Sequence, residues 1–430
     1  MKKFVSLFMV MAMCVCMMAG CGSASAPAAE ATPAAESTTD GSAAFKFGGV
    51  GPLTGAAAIY GQAVKNGEQI AVDEINAAGG INGYPVELKF EDDVADGETA
   101  VNAYNNLLDW GMQILAGPVT TGSSISVAAK AYEDHVFMLT PSASSPDVTD
   151  GKDNVFQLCF TDPNQGSGSA TYMAANMPES KIAVIYKNDD AYSQGIHDTF
   201  VSEAAALGLE IVYEGTFNAS NESDFSVQLT GAQTAGADLV FLPIYYQPAS
   251  IILTQANAMG YAPTFFGVDG MDGILALDNF DLGLAEGVMV LTPFSADAED
   301  ELTQSFVAEY TARCGETPNQ FAADAYDVIY ALKAALESAG CTPDMSAEEL
   351  CDALTGVFPT ISFDGLTGTG MTWNANGEVS KLPAAVVIKG GVYVSANAAA
   401  AEGEDAAAEE APAEGEASDE AEAPAEGAEG

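Results

Sequence analysis

Ile114-Leu115-Ala116-Gly117-Pro118-Val119-Thr120-Thr121-Gly122-Ser123-Ser124 is the stretch on which the fold turns. Three apolar residues run into a Gly-Pro turn, hydroxyl residues follow, and a stretch of helical length near 123–133 leads to a second apolar run, Val136–Leu139. A short strand, a polar loop and a helix feeding the next strand is the unit from which parallel sheets are wound. The same alternation extends in both directions. Upstream, Phe47–Val50 and Val86–Phe90 read as strands, with helices near 61–78 and 97–110. Downstream, strands at Ile182–Tyr186, Glu210–Tyr213, Leu239–Leu242 and Thr264–Gly267 alternate with helices near 191–207, 224–235 and 247–259. Val288–Leu291 is a further strand, followed by helices near 299–312, 319–339 and 346–356 and apolar runs at 371–373 and 384–388. The pattern predicts an α/β protein of two doubly wound parallel-sheet lobes.

Charge and composition exclude several functions. Acids outnumber bases 61 to 13 in 430 residues, a formal charge of −48 that repels a polyphosphate backbone, so no nucleic-acid partner is expected. Residues 398–430 hold twelve of those acids, no base, and otherwise almost only Ala, Gly and Pro. Such a tail buries no core and is expected to be disordered. Residues 45–397 keep 46 acids against 11 bases, which reads as a solvated surface. There are two His, His135 and His197, and seven Cys without zinc-ligand spacing, so no metal site or cofactor is expected.

The amino end has the layout of an export signal: Lys2 and Lys3, an apolar run from Phe4 to Gly20, then Cys21 and small polar residues. Met18-Ala19-Gly20-Cys21 resembles the bacterial lipobox, with Met where Leu is usual. This predicts a signal over 1–20, lipidation at Cys21 and a tether over 21–44; an uncleaved membrane anchor is the alternative. Both place the globular part outside the cytoplasm, on the outer face of the cytoplasmic membrane. Cys159, Cys314, Cys341 and Cys351 then remain. Cys341 and Cys351 flank a short loop, where a bridge adding up to about 3 kcal/mol or a reduced pair both fit.

Ligands of wound sheets bind where strand carboxyl ends and helix amino ends converge. The Gly117–Ser124 loop carries hydroxyls and helix-start N–H groups suited to a small carboxylate, or else serves as an ordinary N-cap. Thr140–Pro146 adds a second hydroxyl cluster. Asp269 follows the Thr264–Gly267 strand with no Lys or Arg beside it, so it either wants a cation or caps its own loop. Tyr60, Tyr192 and Tyr245 supply walls and hydroxyls. Together these describe a pocket for a zwitterion.

Several strings, in order and spacing, carry a resemblance: Gly49-Val50-Gly51-Pro52-Leu53-Thr54-Gly55 with Tyr60-Gly61; Ala71 through Gly83; Glu91-Asp92-Asp93; Gly117-Pro118-Val119-Thr120; Pro141-Ser142-Ala143-Ser144; Tyr192-Ser193-Gln194-Gly195; and Ala323-Asp324-Ala325-Tyr326-Asp327. Over nearly all of 45–397 the chain resembles the type I periplasmic binding proteins of branched-chain amino acid ABC importers, the leucine/isoleucine/valine-binding proteins. The resemblance implies that Thr121 and Ser144 hold the ligand's carboxylate and amino group. It implies a backbone-carbonyl contact at Ser142, an acid for the α-ammonium at Asp269, and aromatic contacts at Tyr60, Tyr192 and Tyr245. Thr120, Asp162 and Gln165 stand at the margin of that set. Asp269 is one methylene shorter than the commoner Glu, so either water reaches the ammonium or the pocket suits another amine-bearing ligand.

The resemblance further implies lobes made of 45–162 with 292–370 and of 163–291 with 371–397. Three hinge crossings join them, near Thr161–Pro163, Thr292–Pro293 and Gly368–Thr372. Lobe closure on an amino acid would present a monomeric protein to a membrane permease, with a separate ATPase. A sensor of the same fold, or a binder of small amides or urea, are the alternatives. Catalysis is not expected: a Ser or Thr nucleophile at 117–124 has no base, since His135 lies beyond the loop's helix and His197 on a helix of the other lobe.

Overall fold

Strands buried on both faces need no polar side, and this chain's central strands are almost continuously apolar for that reason. The computed structural model describes residues 43–396. Its first series runs β1 (Phe45–Gly51), α1 (Ala58–Ala77), β2 (Val86–Asp92), α2 (Gly97–Trp110), β3 (Ile114–Ala116), α3 (Thr121–Glu133), β4 (Phe137–Thr140) and β5 (Val155–Gln157). These strands form an all-parallel sheet in the order β2-β1-β3-β4-β5. The second series runs α4 (Asp162–Asn176), β6 (Lys181–Lys187), α5 (Ala191–Leu207), β7 (Glu210–Phe217), α6 (Ser226–Ala235), β8 (Leu239–Leu242), α7 (Tyr246–Ala258), β9 (Thr264–Gly267) and β10 (Met289–Thr292). Then come α8 (Glu301–Cys314), α9 (Gln320–Ala339), α10 (Ala347–Val357), the antiparallel hairpin β11 (Phe363–Gly365) and β12 (Gly368–Met371), β13 (Ala384–Lys389) and β14 (Val392–Ser395).

The second sheet has the order β14-β13-β10-β9-β8-β6-β7. It is parallel from β7 to β10, the wound core expected from the sequence, and β13 and β14 extend it antiparallel at one edge. The Gly390-Gly391 turn between them, with both glycines at positive φ, reverses the chain too tightly for a parallel return. Chain order carries α8 to α10 back onto the first sheet's layer. Helix α9 lies so close against α1 that a Cβ at Gly67 would stand 2.2 Å from Ala322 O. A side chain there would force the helices apart.

The chain therefore passes between sheets three times. The third passage comes later than Gly368–Thr372. Trp373 Nε1–H donates to Gln157 O at 2.8 Å and Gln157 N–H donates to Gly377 O at 2.8 Å, which keeps 373–377 along the edge of β5. Lys381 follows, buried, 2.7 Å from Asp324 Oδ1 and bonded to Thr367 Oγ1. This pins the start of the return to α9 and the hairpin.

All four described cysteines are free thiols, so the bridge weighed for Cys341 and Cys351 is not formed. Each packs separately in apolar core: the Cys341 carbonyl is held by Asn82 Nδ2 at 2.9 Å, while Cys351 faces Asn154 and Thr355. The expected signal, Cys21, most of the tether and the acidic tail lie outside the described residues. Among the described residues no helix is long and apolar enough to cross a membrane.

Candidate functional site

The carboxyl ends of β1, β3 and β4 face those of β6, β8 and β9 across a cleft. There Tyr60, Thr120, Thr121, Ser142, Tyr192, Tyr245 and Asp269 line one cavity. Val119, Gly270 and Phe321 complete the wall. Tyr60, on α1, is the hub of the aromatic lining. Its ring centroid lies 4.3 Å from Phe321, 4.9 Å from Tyr246 and 5.5 Å from Tyr245, and Tyr245 stacks on Tyr192 at 4.8 Å. Tyr60 Oη donates to Gly270 O and accepts from Tyr246 N–H at 3.2 Å, so the two lobes touch directly here. The cavity they leave is about 10 Å³, room for a single water at most.

Asp269 begins the turn after β9 and is 4% exposed. Tyr192 Oη donates to its Oδ1 at 2.5 Å and takes the Gly270 N–H at 2.8 Å. The Asp269 N–H donates to Gln165 Oε1 at 3.2 Å, and its carbonyl accepts from Gln320 Nε2 at 2.8 Å. Burial pushes the Asp269 carboxyl up to about 7, although Tyr192 and Gln165 beside it hold it down. No Lys, Arg or His lines the cavity. Among the described residues, a desolvated acid at this position has no cationic partner.

Opposite it, Thr120 takes the N-cap position of α3 but makes no capping bond, and its buried Oγ1 has no hydrogen-bond partner. The ordinary N-cap reading is therefore not what this residue does. Thr120 and Thr121 line the cavity, so the amino end of this 13-residue helix, which favours a small anion, borders the cleft.

Three residues of the expected set stand behind the wall instead of on it. Ser144 Oγ donates to Asp162 Oδ1 at 2.6 Å, and Asp162 N–H returns a bond to Ser144 O at 2.9 Å. Asp162 is fully buried with Oδ2 unpartnered, and burial raises its carboxyl well above the usual range. Gln165 braces Asp269. Ser142 lines the cavity, while its hydroxyl is spent on Val119 O at 2.8 Å. Gln320 and Phe321 were missed because they open a helix after a loop, whereas the sequence signal lay at strand ends; the Asn319 N-cap marks the place.

Two α/β lobes, three passages between them and a cavity shared by side chains of both define a two-lobed solute binder. The family model described as "Periplasmic binding protein" matches residues 44–392. Leu/Ile/Val-binding protein homolog 3 of Brucella melitensis is 32% identical over 307 residues, 70% of this chain and 81% of that protein. The leucine-, isoleucine-, valine-, threonine-, and alanine-binding protein of Pseudomonas aeruginosa is 29% identical over 71% of this chain and 82% of its own length. Among solved structures, the branched-chain amino acid transporter substrate binding protein LivJ of Streptococcus pneumoniae in complex with isoleucine superposes with a TM-score of 0.73. It shares 29% identity and covers 82% of this chain and 99% of its own. The chain belongs to the periplasmic binding protein family, whose members are extracytoplasmic solute-binding proteins and not enzymes.

Proposed function

We propose that this protein captures an apolar, branched-chain amino acid in the interlobe cleft and delivers it to the permease of an ABC importer. The observation that carries this reading is the unpaired, buried Asp269 in one cavity with the free Thr120 hydroxyl and the α3 amino end. The ammonium pairs with Asp269, the carboxylate rests on Thr120, Thr121 and the helix-start N–H groups, and the tyrosines and Phe321 pack the side chain. The relatives named above support the ligand class. Ligand sites typically offer about 300–1,000 Å³, so entry requires the lobes to part and capture re-forms contacts such as that of Tyr60 with Gly270. A thermal-shift panel tests this: leucine, isoleucine or valine should raise the melting temperature. No shift with any amino acid would sink the proposal.

The elevated Asp269 carboxyl favours a second reading, in which a neutral acid donates to a short amide or urea. Shifts by amides alone, in the same panel, would select it.

The same reading makes the protein a lipoprotein. Mass spectrometry of the exported chain should find it beginning at a diacylglyceryl-modified Cys21. A chain still beginning at Met1 would be the uncleaved anchor.

A further inference from the structure

The turn that presents Asp269 to the cleft ends at Asp272, which lines a different cavity of about 430 Å³. One side of this cavity comes from the second lobe, through Leu275, Val392 and Tyr393; the other comes from Phe294, Val307 and Tyr310, of which the latter two lie on α8. The wall is mainly apolar, and its polar end is acidic. Asp272 is 3% exposed; its Oδ2 accepts the Gln320 N–H at 2.8 Å, but its Oδ1 has no hydrogen-bond partner. The Tyr393 hydroxyl, likewise buried, stands beside the Asp272 carboxyl and lowers it, a contact too poor in geometry to satisfy either group. Burial nevertheless pushes Asp272 up to about 6. Asp297 and Glu316 also line the cavity, and no Lys, Arg or His does.

A buried carboxylate and a buried hydroxyl that meet only weakly each keep an acceptor lone pair open to a further donor. Two further acids and no base specify that the donor be cationic. The apolar wall and the volume, within the about 300–1,000 Å³ of small-molecule sites, specify the rest of the molecule. We infer that this cavity is a second ligand site, distinct from the cleft, which takes a small amine with an apolar body. Its ammonium sits on Asp272 Oδ1 and Tyr393 Oη, and its hydrocarbon lies against Leu275, Phe294, Val307 and Tyr310.

The site is wired to the cleft. Asp272 N–H donates to Asp269 O at 2.9 Å, and Gln320 bonds both residues, through its side chain to Asp269 O and through its backbone to Asp272 Oδ2. An amine seated here therefore acts on the turn that holds Asp269, and any effect on cleft affinity is returned equally on the amine's own.

Phenethylamine is the probe, titrated calorimetrically into the exported chain. Wild type and Asp269→Ala should both bind it saturably, one to one. Asp272→Asn should bind at least tenfold more weakly. So should Ala276→Trp, which fills the cavity from an exposed lining position and decides the matter if Asp272→Asn does not fold. Phenethyl alcohol, of the same shape without the charge, should bind at least tenfold more weakly than the amine. Absence of saturable binding to wild type overturns the inference. So does binding lost in Asp269→Ala but kept in Ala276→Trp, which puts the amine in the cleft, and so does equal binding of the alcohol.

Discussion

Asp269→Ala is expected to abolish amino acid binding while leaving a folded protein. The carboxyl is 4% exposed, and no base lines the cavity, so a bound ammonium has this one full charge to meet it. Removing one partner of a buried ion pair costs about 3–5 kcal/mol, which is roughly a hundredfold to several thousandfold in affinity. Folding should survive because the Asp269 side chain serves the ligand more than the fold. Tyr192 Oη keeps the Gly270 N–H, and Gln320 and Gln165 bond the backbone of residue 269, which Ala retains. The truncation also removes a desolvated acid, so the ligand-free variant should melt no lower than wild type at pH 8. Calorimetry with leucine is the check, and near-wild-type affinity would take Asp269 out of the site. Asp269→Asn separates the two ligand readings: it should lose amino acids but keep a neutral amide.

The alternation of apolar runs and helical stretches made the two lobes legible, since strands such as Leu239–Leu242 and Thr264–Gly267 begin and end where their side chains do. Helix α4 was not legible. It carries Pro163, Gly166 and Gly168 and buries Gln165 and Ser169, because small residues let it pack against α5; a Cβ at Gly166 would stand 2.6 Å from Ile196 O. Periodicity of apolar residues cannot report a face built that way. The antiparallel return of β13 and β14 was hidden for another reason, since alternation tells strand from helix but not direction. At the site, the cavity-lining loops were legible from their hydroxyls and aromatics. That Ser144 and Asp162 form a bonded pair behind the wall, and that Thr120 makes no capping bond, depend on side-chain geometry that spacing does not carry.

The folded protein is expected to be most stable in mildly acidic solution and to lose stability as pH rises through 6 and 7. Burial is the leading cause at each of the acids responsible: Asp269 is raised to about 7, Asp93, Asp272 and Asp327 to about 6, and Glu68 and Asp162 well above their usual range. A carboxyl whose folded pKa exceeds its unfolded value near 4 holds more protons in the native state across the interval between them. Its contribution is therefore fully present at and below pH 4 and is lost as pH rises through the folded pKa. Exposed capping acids such as Asp96 and Asp300, whose pKa is lowered by backbone N–H bonds, act in the opposite sense, but only below about pH 4. The optimum should therefore lie at about pH 4, and the melting temperature without ligand should fall from pH 5 to pH 8. An amino acid reverses the sign at one of these groups. Its ammonium needs Asp269 ionised, so binding below pH 7 carries the cost of removing the proton. Leucine affinity should weaken by up to about tenfold per pH unit below 7 and level off above it. Melting curves and calorimetry from pH 5 to 8, with and without leucine, read both slopes. A ligand-free melting temperature that rises over this range, or an affinity that does not depend on pH, would contradict a buried and unpaired Asp269.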